Sequence, residues 1–182
     1  MVKMVGTESS TLLKESATSP VWSPDGRWIA FGLRPKWFAP QTTSLCVMPR
    51  VGGTERKIAD VTQTLSFGSF AAWTPDSRGL IAADRDGPGA PFHLVLVLLD
   101  SGEKRRLTNP PANAFGDVGP ALSPDGKTLA FCRRTGPERG LYLLSLDASY
   151  LPAAQPRKLD TGVPDSNWPV WTRDGKEIIF CS

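Results

Sequence analysis

The stretch Trp22-Ser-Pro-Asp-Gly-Arg-Trp-Ile-Ala-Phe31 decides the fold, because it returns three more times along the chain. The other copies begin at Trp73, Leu122 and Trp171, and their turn aspartates follow at spacings of 51, 49 and 49 residues. A self-similar period of this length indicates a repeat architecture. We therefore interpret the chain as a series of equivalent structural units.

Each copy predicts a hairpin turn. Proline holds φ at about −65°, aspartate suits the next turn position, and glycine takes the left-handed conformation that closes a short antiparallel connection. Ser77 stands where glycine is wanted, so we expect Gly79 to absorb the strain, and Arg173 replaces a proline. The residues with this structural role are Pro24, Asp25, Gly26, Pro75, Asp76, Pro124, Asp125, Gly126, Asp174 and Gly175.

Four strand signals recur in each complete unit. In the first unit the first strand ends at Trp22, and the other three lie at residues 29–31, 44–48 and 56–58. Four short antiparallel strands per repeat of this length are typical of a propeller blade. Residues 95–99 are apolar at consecutive positions, which indicates a strand covered on both faces, whereas a sandwich shows cleaner alternation. We predict an all-β protein, a β-propeller arc of about three and a half four-stranded antiparallel blades.

The predicted boundaries follow the repeat. Residues 1–18 form an N-terminal arm or a leftover outer strand, residues 19–60 the first blade, 61–109 the second, 110–160 the third, and 161–182 the first hairpin of a fourth. An open arc leaves strand edges and blade faces unpaired. We therefore expect further blades in the same chain, or self-association, to complete a ring.

Composition excludes several classes of function. The net charge of +3 is too small to indicate a nucleic-acid or membrane partner, and the longest apolar run, residues 94–99, is far shorter than the roughly 20 residues of a membrane span. Cys132 and Cys181 follow a strand phenylalanine at equivalent repeat positions, which predicts small buried residues without a disulfide or zinc site.

The copies at residues 22–31 and 122–131 resemble the TolB-like, Pro-Asp-Gly class of propeller repeats, a WD-like repeat family. The resemblance covers most of residues 19–182 and implies a propeller fold, which hosts many activities. Similar repeats occur in periplasmic TolB proteins, in the N-terminal propellers of prolyl oligopeptidase-type peptidases, and behind winged-helix domains of bacterial regulators. Residues 169–180 are most similar in style to the regulator group. The resemblance alone favours a periplasmic location.

The residues of this segment do not assemble a catalytic or metal site. His93 is the single histidine, and its place at the start of a predicted strand favours a structural role over that of a triad base. The turn aspartates lie one per blade, so they cannot converge on a calcium ion. We predict no catalysis, no metal and no cofactor.

Arg34, Arg85 and Arg134 share one repeat position just after the second strand of each blade. In a meander of four strands, this position lies on the face opposite the turns. Three guanidinium groups on one rim suit an anionic peptide, carboxylate or phosphate. The alternative is local pairing with acids such as Asp86 or Glu138.

Lys36, Trp37 and Phe38 lie in the loop beside Arg34, and exposed aromatic residues next to cations are typical of interface anchors. Alternatively, the aromatic side chains cap the core of the blade. Basic pairs also recur on the predicted outermost strands, where cations prevent edge-to-edge pairing. They are Arg56-Lys57, Arg105-Arg106 and Arg157-Lys158, and they lack the interleaved aromatics of a nucleic-acid binder.

The sequence thus favours a non-catalytic propeller scaffold that binds a protein, a peptide or a small anionic ligand. The sensor part of a bacterial regulator is the form of this function that we expect. One alternative is the substrate-gating propeller of a prolyl oligopeptidase-type serine peptidase whose catalytic domain lies outside this chain. Another is a TolB-like periplasmic interaction protein.

Overall fold

A computed structural model describes residues 2–5, 10–15, 17–33, 42–62 and 71–182. All regular elements in these ranges are β-strands, so the predicted all-β class is confirmed. Within the same ranges, no helix has the length and apolar character needed to cross a membrane. At the N-terminus, β1 (Val2–Val5) pairs with β2 (Ser10–Lys14) as an antiparallel hairpin, where the sequence predicted a single strand or an arm.

The remaining strands form three four-stranded antiparallel sheets and one two-stranded sheet. Blade 1 contains β3 (Ala17–Trp22), β4 (Trp28–Leu33), β5 (Thr42–Pro49) and β6 (Arg56–Thr62). Blade 2 contains β7 (Ala71–Trp73), β8 (Gly79–Asp84), β9 (His93–Leu98) and β10 (Lys104–Arg106). Blade 3 contains β11 (Gly116–Leu122), β12 (Thr128–Thr135), β13 (Glu138–Ser145) and β14 (Arg157–Lys158), and blade 4 contains β15 (Asn167–Trp171) and β16 (Ile178–Cys181).

Every sheet is a meander in which neighbouring strands are consecutive in the chain. The first strands lie side by side, since β11 contacts both β7 and β15, and β3 contacts β7. The last strands, β6, β10 and β14, form the free edges. This is the predicted arrangement of about three and a half propeller blades, and it places the basic pairs on edge strands as expected.

The repeated turns have the predicted geometry, with one correction. Gly26, Gly126 and Gly175 have φ of 68°, 74° and 70°, and Ser77 itself takes φ of 59°. The sequence suggested that Gly79 absorbs the strain of this turn. This prediction is wrong, because Ser77 itself adopts the left-handed conformation. Gly79 lies in β8, where a Cβ would stand 2.8 Å from a methyl group of Leu96. A Cβ here would displace this methyl group, so packing between strands, and not turn geometry, favours glycine at this position.

The cores lie between the blades. Apolar residues of β4, β5, β8 and β9 form one cluster between blades 1 and 2, and residues of β8, β9 and β12 form the next between blades 2 and 3. Because each middle strand is covered on both sides, residues 94–97 are all buried, which explains the continuous apolar run in the sequence.

The tryptophan of the repeat joins neighbouring blades. Trp73 Nε1 donates a hydrogen bond to the backbone oxygen of Val21 at 3.2 Å, and Trp171 Nε1 donates to that of Ala121 at 3.0 Å. Trp22, the equivalent residue of blade 1, is 52% exposed, whereas Trp73 is 8% exposed. Blade 1 thus exposes, at Trp22, the tryptophan that forms the contact between blades at Trp73 and Trp171.

The cysteines are all free thiols. Cys132 is buried, as predicted, and Cys46 is buried as well, but Cys181 is exposed on β16. The prediction that Cys181 is buried is wrong, because among the described residues β16 pairs with β15 and with no further strand.

Candidate binding site on the loop face

The propeller arc has two faces with different chemistry. We call turn face the side that carries the four repeated turns, at residues 23–28, 74–79, 123–128 and 172–177. We call loop face the opposite side, where the second strand of each blade connects to the third and one blade connects to the next.

On the turn face the carboxylates are satisfied within their own turns. Ser23 Oγ donates to Asp25 Oδ1 at 2.5 Å, the amide of Arg27 donates to the same oxygen at 3.0 Å, and the other three turns repeat this pattern. The hydroxyl bond and then the amide bond lower the pKa of Asp25, and the same bonds lower the pKa of Asp125 and Asp174. These aspartates therefore act as local turn residues.

On the loop face, four side chains form a continuous row across blades 2 and 3. The guanidinium of Arg85 lies 5.1 Å from the ring centroid of Phe92, the rings of Phe92 and Phe115 are 5.2 Å apart, and the guanidinium of Arg134 lies 5.4 Å from the Phe115 ring. We name these residues the arginine–phenylalanine row. Each guanidinium is held over an aromatic face by a cation–π contact.

Gly116 fixes the centre of this row. Its φ is 119°, and a Cβ would stand 2.2 Å from the backbone oxygen of Phe92. The amides also interlock, because Phe92 N donates to Phe115 O and Asp117 N donates to Phe92 O. Only glycine allows the two backbones to approach so closely, and this approach brings the two phenylalanines together.

Several loop-face carboxylates are already occupied. Asp84 accepts from Lys104 Nζ at 2.7 Å and from the amide of Thr62 at 2.9 Å. Burial raises the pKa of Asp84, but these two donors outweigh burial and the net shift is downward. The pairing of Asp84 joins blade 1 to blade 2, since Thr62 ends β6.

Two further acids pair with arginines outside the row. Asp86 accepts a hydrogen bond from Arg106. The buried Asp117 forms a bidentate ion pair with Arg133, whose Nε and Nη2 donate to Oδ1 and Oδ2 at 2.7 and 2.8 Å. Asp86, one of the acids suggested as a partner for the arginines of the row, thus pairs with Arg106. Arg133 also lies over the Tyr142 ring, 4.8 Å from its centroid.

Arg134 has a different environment from its neighbour Arg133. It is the register partner of Arg139 across β12 and β13, so two cations lie directly opposite each other. Among the described residues, no carboxylate lies within ion-pair distance of either guanidinium, including the suggested partner Glu138. Like charges in this arrangement repel and destabilise the pair.

A cavity of about 360 Å³ opens between blades 3 and 4 beside this pair. Arg134 and Arg139 supply its charge, and Phe115 and Trp168 supply aromatic walls that are 38% and 39% exposed. The volume lies in the range of small-ligand sites, which is roughly 300–1,000 Å³. The cavity combines cations, aromatic surface and an opening to solvent.

The predicted site residues divide into two groups. Arg34, Lys36 and Trp37, together with Phe38, lie outside the described residues. Arg85 follows β8 as expected, whereas Arg134 lies inside β12, because this strand extends further than its counterpart in blade 2.

Sequence reasoning missed four residues of the site, namely Phe92, Phe115, Arg139 and Trp168. Trp168 occupies the repeat position of Gly119 and Ser19, six residues before the turn aspartate, so an aromatic residue at that aligned position was a detectable signal. Phe92, Phe115 and Arg139 belong to loops and strand ends that have no constant place in the repeat. Only the strand register brings Arg139 opposite Arg134.

The single histidine takes no part in this site. His93 begins β9, is buried, and is the register partner of Asp84. Burial lowers the pKa of His93, and the nearby guanidinium of Arg106 lowers it further. In the part of the chain that the structure describes, no group of three or more histidine, cysteine, aspartate or glutamate residues is placed to hold a metal ion.

Comparison with solved structures decides the fold. TolB proteins superpose with a TM-score of 0.69: the putative TolB of Agrobacterium tumefaciens is 20% identical over 90% of this chain and 53% of its own, and TolB of Acinetobacter baumannii is 18% identical over 90% and 37%. The fold is that of a TolB-like β-propeller. Prolyl oligopeptidase B of Galerina marginata matches with a TM-score of 0.64 and 16% identity, over 91% of this chain and 25% of its own.

A protein of Bacillus subtilis described as the uncharacterized peptidase YuxL is 32% identical over 152 residues. The match covers 65% of this chain and 22% of YuxL, so the chain spans about a fifth of that protein. It likewise spans about half or less of the TolB and oligopeptidase structures. No model of a known protein family matches the chain.

Proposed function

We propose that this segment is a non-catalytic propeller scaffold that binds a protein, a peptide or a small anionic ligand on its loop face. The observation that carries the proposal is the arginine–phenylalanine row, in which Arg85 lies over the buried ring of Phe92 and Arg134 lies over the exposed ring of Phe115. Arginine and aromatic side chains are enriched among the residues that dominate binding energy at protein interfaces. A sensing role in a bacterial regulator is the form of this function that the sequence favours.

Arginine is well suited to this role. Its guanidinium group bonds a carboxylate through two parallel N–H groups while its flat face remains against an aromatic ring. Arg134 lies over Phe115 and has no carboxylate partner among the described residues, so its N–H groups are directed to solvent or to a ligand. On the turn face, by contrast, the carboxylates of the repeated turns are bonded within their own turns.

The test compares two triple variants with equal loss of charge. The first, the loop-face variant, replaces Arg85 and Arg134 of the loop face, together with Arg34 at the same repeat position in the sequence, by glutamine. The control replaces Arg27, Arg78 and Arg173 by glutamine on the turn face, where all three are exposed. Binding of a fluorescein-labelled decaglutamate peptide is measured by anisotropy at about 0.15 M salt, which screens non-specific attraction.

We expect the loop-face variant to bind at least about tenfold more weakly, because it loses charge-assisted hydrogen bonds, and the turn-face variant to bind like the parent chain. Equal weakening in both variants indicates attraction by net charge alone and contradicts the proposal. Failure of the parent chain to bind the peptide contradicts it as well.

A second candidate function is the substrate-gating propeller of a serine peptidase. The similarity to YuxL, which carries a peptidase name, favours it. In this case the loop face serves a catalytic domain encoded elsewhere in the same gene. Sequencing the gene in both directions distinguishes the candidates, since a downstream hydrolase domain supports the peptidase and an upstream winged helix supports the regulator. An upstream signal peptide supports a TolB-like periplasmic interaction protein.

We further propose that the face of blade 1 at Trp22 packs against the first strand of another blade. Trp73 and Trp171 each donate to a backbone carbonyl of the preceding blade, and the exposed Trp22 can donate in the same way. Sedimentation of this chain distinguishes a second copy from further blades of the same polypeptide as the source. A soluble monomer at high concentration, unaffected by Trp22→Ala, contradicts packing between copies.

A further inference from the structure

The cavity between blades 3 and 4 holds two arginines in a costly arrangement. Arg134 and Arg139 are direct cross-strand partners, and like charges in this relation destabilise a sheet. The neighbouring arginines Arg106 and Arg133 each have a carboxylate partner. An anion bound in the cavity would offset the repulsion between Arg134 and Arg139.

The aromatic wall opposite is positioned by an unusual backbone. Trp168 has φ of 51°, a left-handed conformation that is strained for a bulky residue. It lies at the β-bulge of β15, and the equivalent bulges of β3 and β11 hold Ser19 and Gly119 with φ of 51° and 63°. A bulge redirects the side chain that it carries. Blade 4 thus uses the shared bulge to place an indole ring in the cavity.

The polar groups between these walls are neutral. Cys132 Sγ donates to Asn167 Oδ1 at 3.5 Å, and Asn167 Nδ2 donates to the backbone oxygen of Asp165 at 2.8 Å. Burial raises the pKa of Cys132 to about 11, so its thiol stays protonated at neutral pH. The charge of the cavity lining therefore comes from Arg134 and Arg139.

The surroundings favour a ligand with a single negative charge. Arg139 also lines an adjoining cavity of about 400 Å³ together with Glu138 and Asp165. These two carboxylates reduce the positive potential at Arg139, which disfavours a doubly charged phosphate. The exposed rings of Phe115 and Trp168 favour a flat apolar group on the same ligand, because aromatic pairs gain energy beyond the area that they bury.

We propose that the cavity formed by Phe115, Arg134, Arg139 and Trp168 binds a monocarboxylate attached to an aromatic ring. The source is a small aromatic acid or the free C-terminus of a peptide that ends in an aromatic residue. The inference rests on the proposed function in one respect, since Arg134 belongs both to the arginine–phenylalanine row and to this cavity. It names the chemical class of ligand for the cavity.

The test is a titration of the chain with phenylacetate, followed by the indole N–H signals in ¹H–¹⁵N spectra. The neutral phenylacetamide is the matched control ligand. Because phenylacetate is small, we expect millimolar binding that shifts the Trp168 indole signal, and no binding of the amide. Arg139→Gln removes a charged donor and weakens phenylacetate binding by about tenfold or more.

Trp168→Gly removes the aromatic wall and leaves a backbone that glycine adopts without strain, as Gly119 does in blade 3. We expect this variant to weaken phenylacetate binding by about tenfold as well. Ser19→Gly makes the same backbone change in blade 1, outside the cavity, and is expected to bind like the parent chain.

A peptide arm separates the two sources of carboxylate. Tighter binding of N-acetyl-Gly-Gly-Phe than of phenylacetate supports a peptide C-terminus, and weaker binding supports a small acid. Equal binding of phenylacetamide, tighter binding of inorganic phosphate, or no shift with phenylacetate overturns the inference. If phenylacetate fails while decaglutamate still requires Arg34, Arg85 and Arg134, the inference falls and the proposed function stands. If only decaglutamate fails, the proposed surface falls and the cavity stands.

Discussion

The two faces of the propeller arc differ in how regular they are and in how their charged groups are paired. The turn face repeats one solution four times, and Asp25, Asp125 and Asp174 are each bonded to a hydroxyl and an amide of their own turn. The loop face varies from blade to blade, and it carries the strained backbone of Trp168 and the facing cations Arg134 and Arg139, neither of which forms an ion pair with a carboxylate of the described residues. The motif that repeats within the chain is therefore structural, and the binding surface that we propose lies where the repeats differ.

The largest effect that we predict comes from the centre of the loop face. Gly116→Ala drives a methyl group into the backbone of Phe92 and places alanine at φ of 119°, so we expect a loss of about 4 kcal/mol or more in the free energy of unfolding. Gly119→Ala is the control, because nothing lies within 4 Å of its Cβ and only the cost of φ at 63°, about 1–2 kcal/mol, remains. Urea unfolding measures both, and equal losses contradict the close approach at Gly116.

The next effect comes from the buried pair at the same end of blade 3. Asp117→Ala leaves Arg133 half-buried without its partner, and we expect a loss of about 3–5 kcal/mol. The matched change at the surface, Asp86→Ala, leaves the free energy of unfolding nearly unchanged because water solvates Arg106. A small effect of Asp117→Ala in thermal or urea unfolding argues against a structural role for this pair.

A smaller effect is expected on the turn face, where Ser77 takes the place of glycine. Ser77→Gly and Ser77→Ala both remove the hydroxyl that accepts a hydrogen bond from the amide of Asp25 at 3.1 Å. Only the glycine variant also relieves the left-handed strain at φ of 59°. We therefore expect Ser77→Gly to be more stable than Ser77→Ala by about 1 kcal/mol in urea unfolding. Equal stability contradicts the assignment of strain to this turn.

The smallest effect is a pH dependence that also belongs to the turn face. The pKa of Asp25, Asp125 and Asp174 is lowered in the folded chain from the ordinary value of 3.8. The unfolded chain therefore binds protons first, so the contribution to stability is complete above pH 3.8 and is lost as the pH falls through the lower folded values. Urea unfolding between about pH 5 and pH 2.5 is expected to show this loss.

The triple replacement of these aspartates by asparagine tests that origin. Asparagine does not titrate, so the variant is expected to lose less stability over the same acid range than the parent chain does. An identical acid response in both proteins assigns the titration to other carboxylates, such as Asp84.

The sequence predicted the fold because the fold is local and repeated. The repeat places the same turn residues, the same strand order and the same basic pairs in each complete blade. These features can therefore be read from the sequence of the repeat alone. Two expectations within this scheme were wrong. Ser77 takes the left-handed conformation itself, and Cys181 is exposed because its strand β16 pairs, within the described ranges, with β15 alone.

The candidate site was only half predictable. Arg85 and Arg134 were found because they share a repeat position. Phe92, Phe115 and Arg139 were not, because their contacts depend on how blades 2 and 3 meet and on the register of β12 and β13. Such contacts join residues far apart in the chain, and no periodicity records them.

The most direct test of the central claim is a map of amide shifts on addition of decaglutamate to the ¹⁵N-labelled chain. If binding lies on the loop face, the largest shifts fall in residues 85–92, 115–119 and 132–140, and the turns at residues 23–28 and 123–128 keep their positions. The largest shifts at those turns, with an unchanged loop face, would contradict the account.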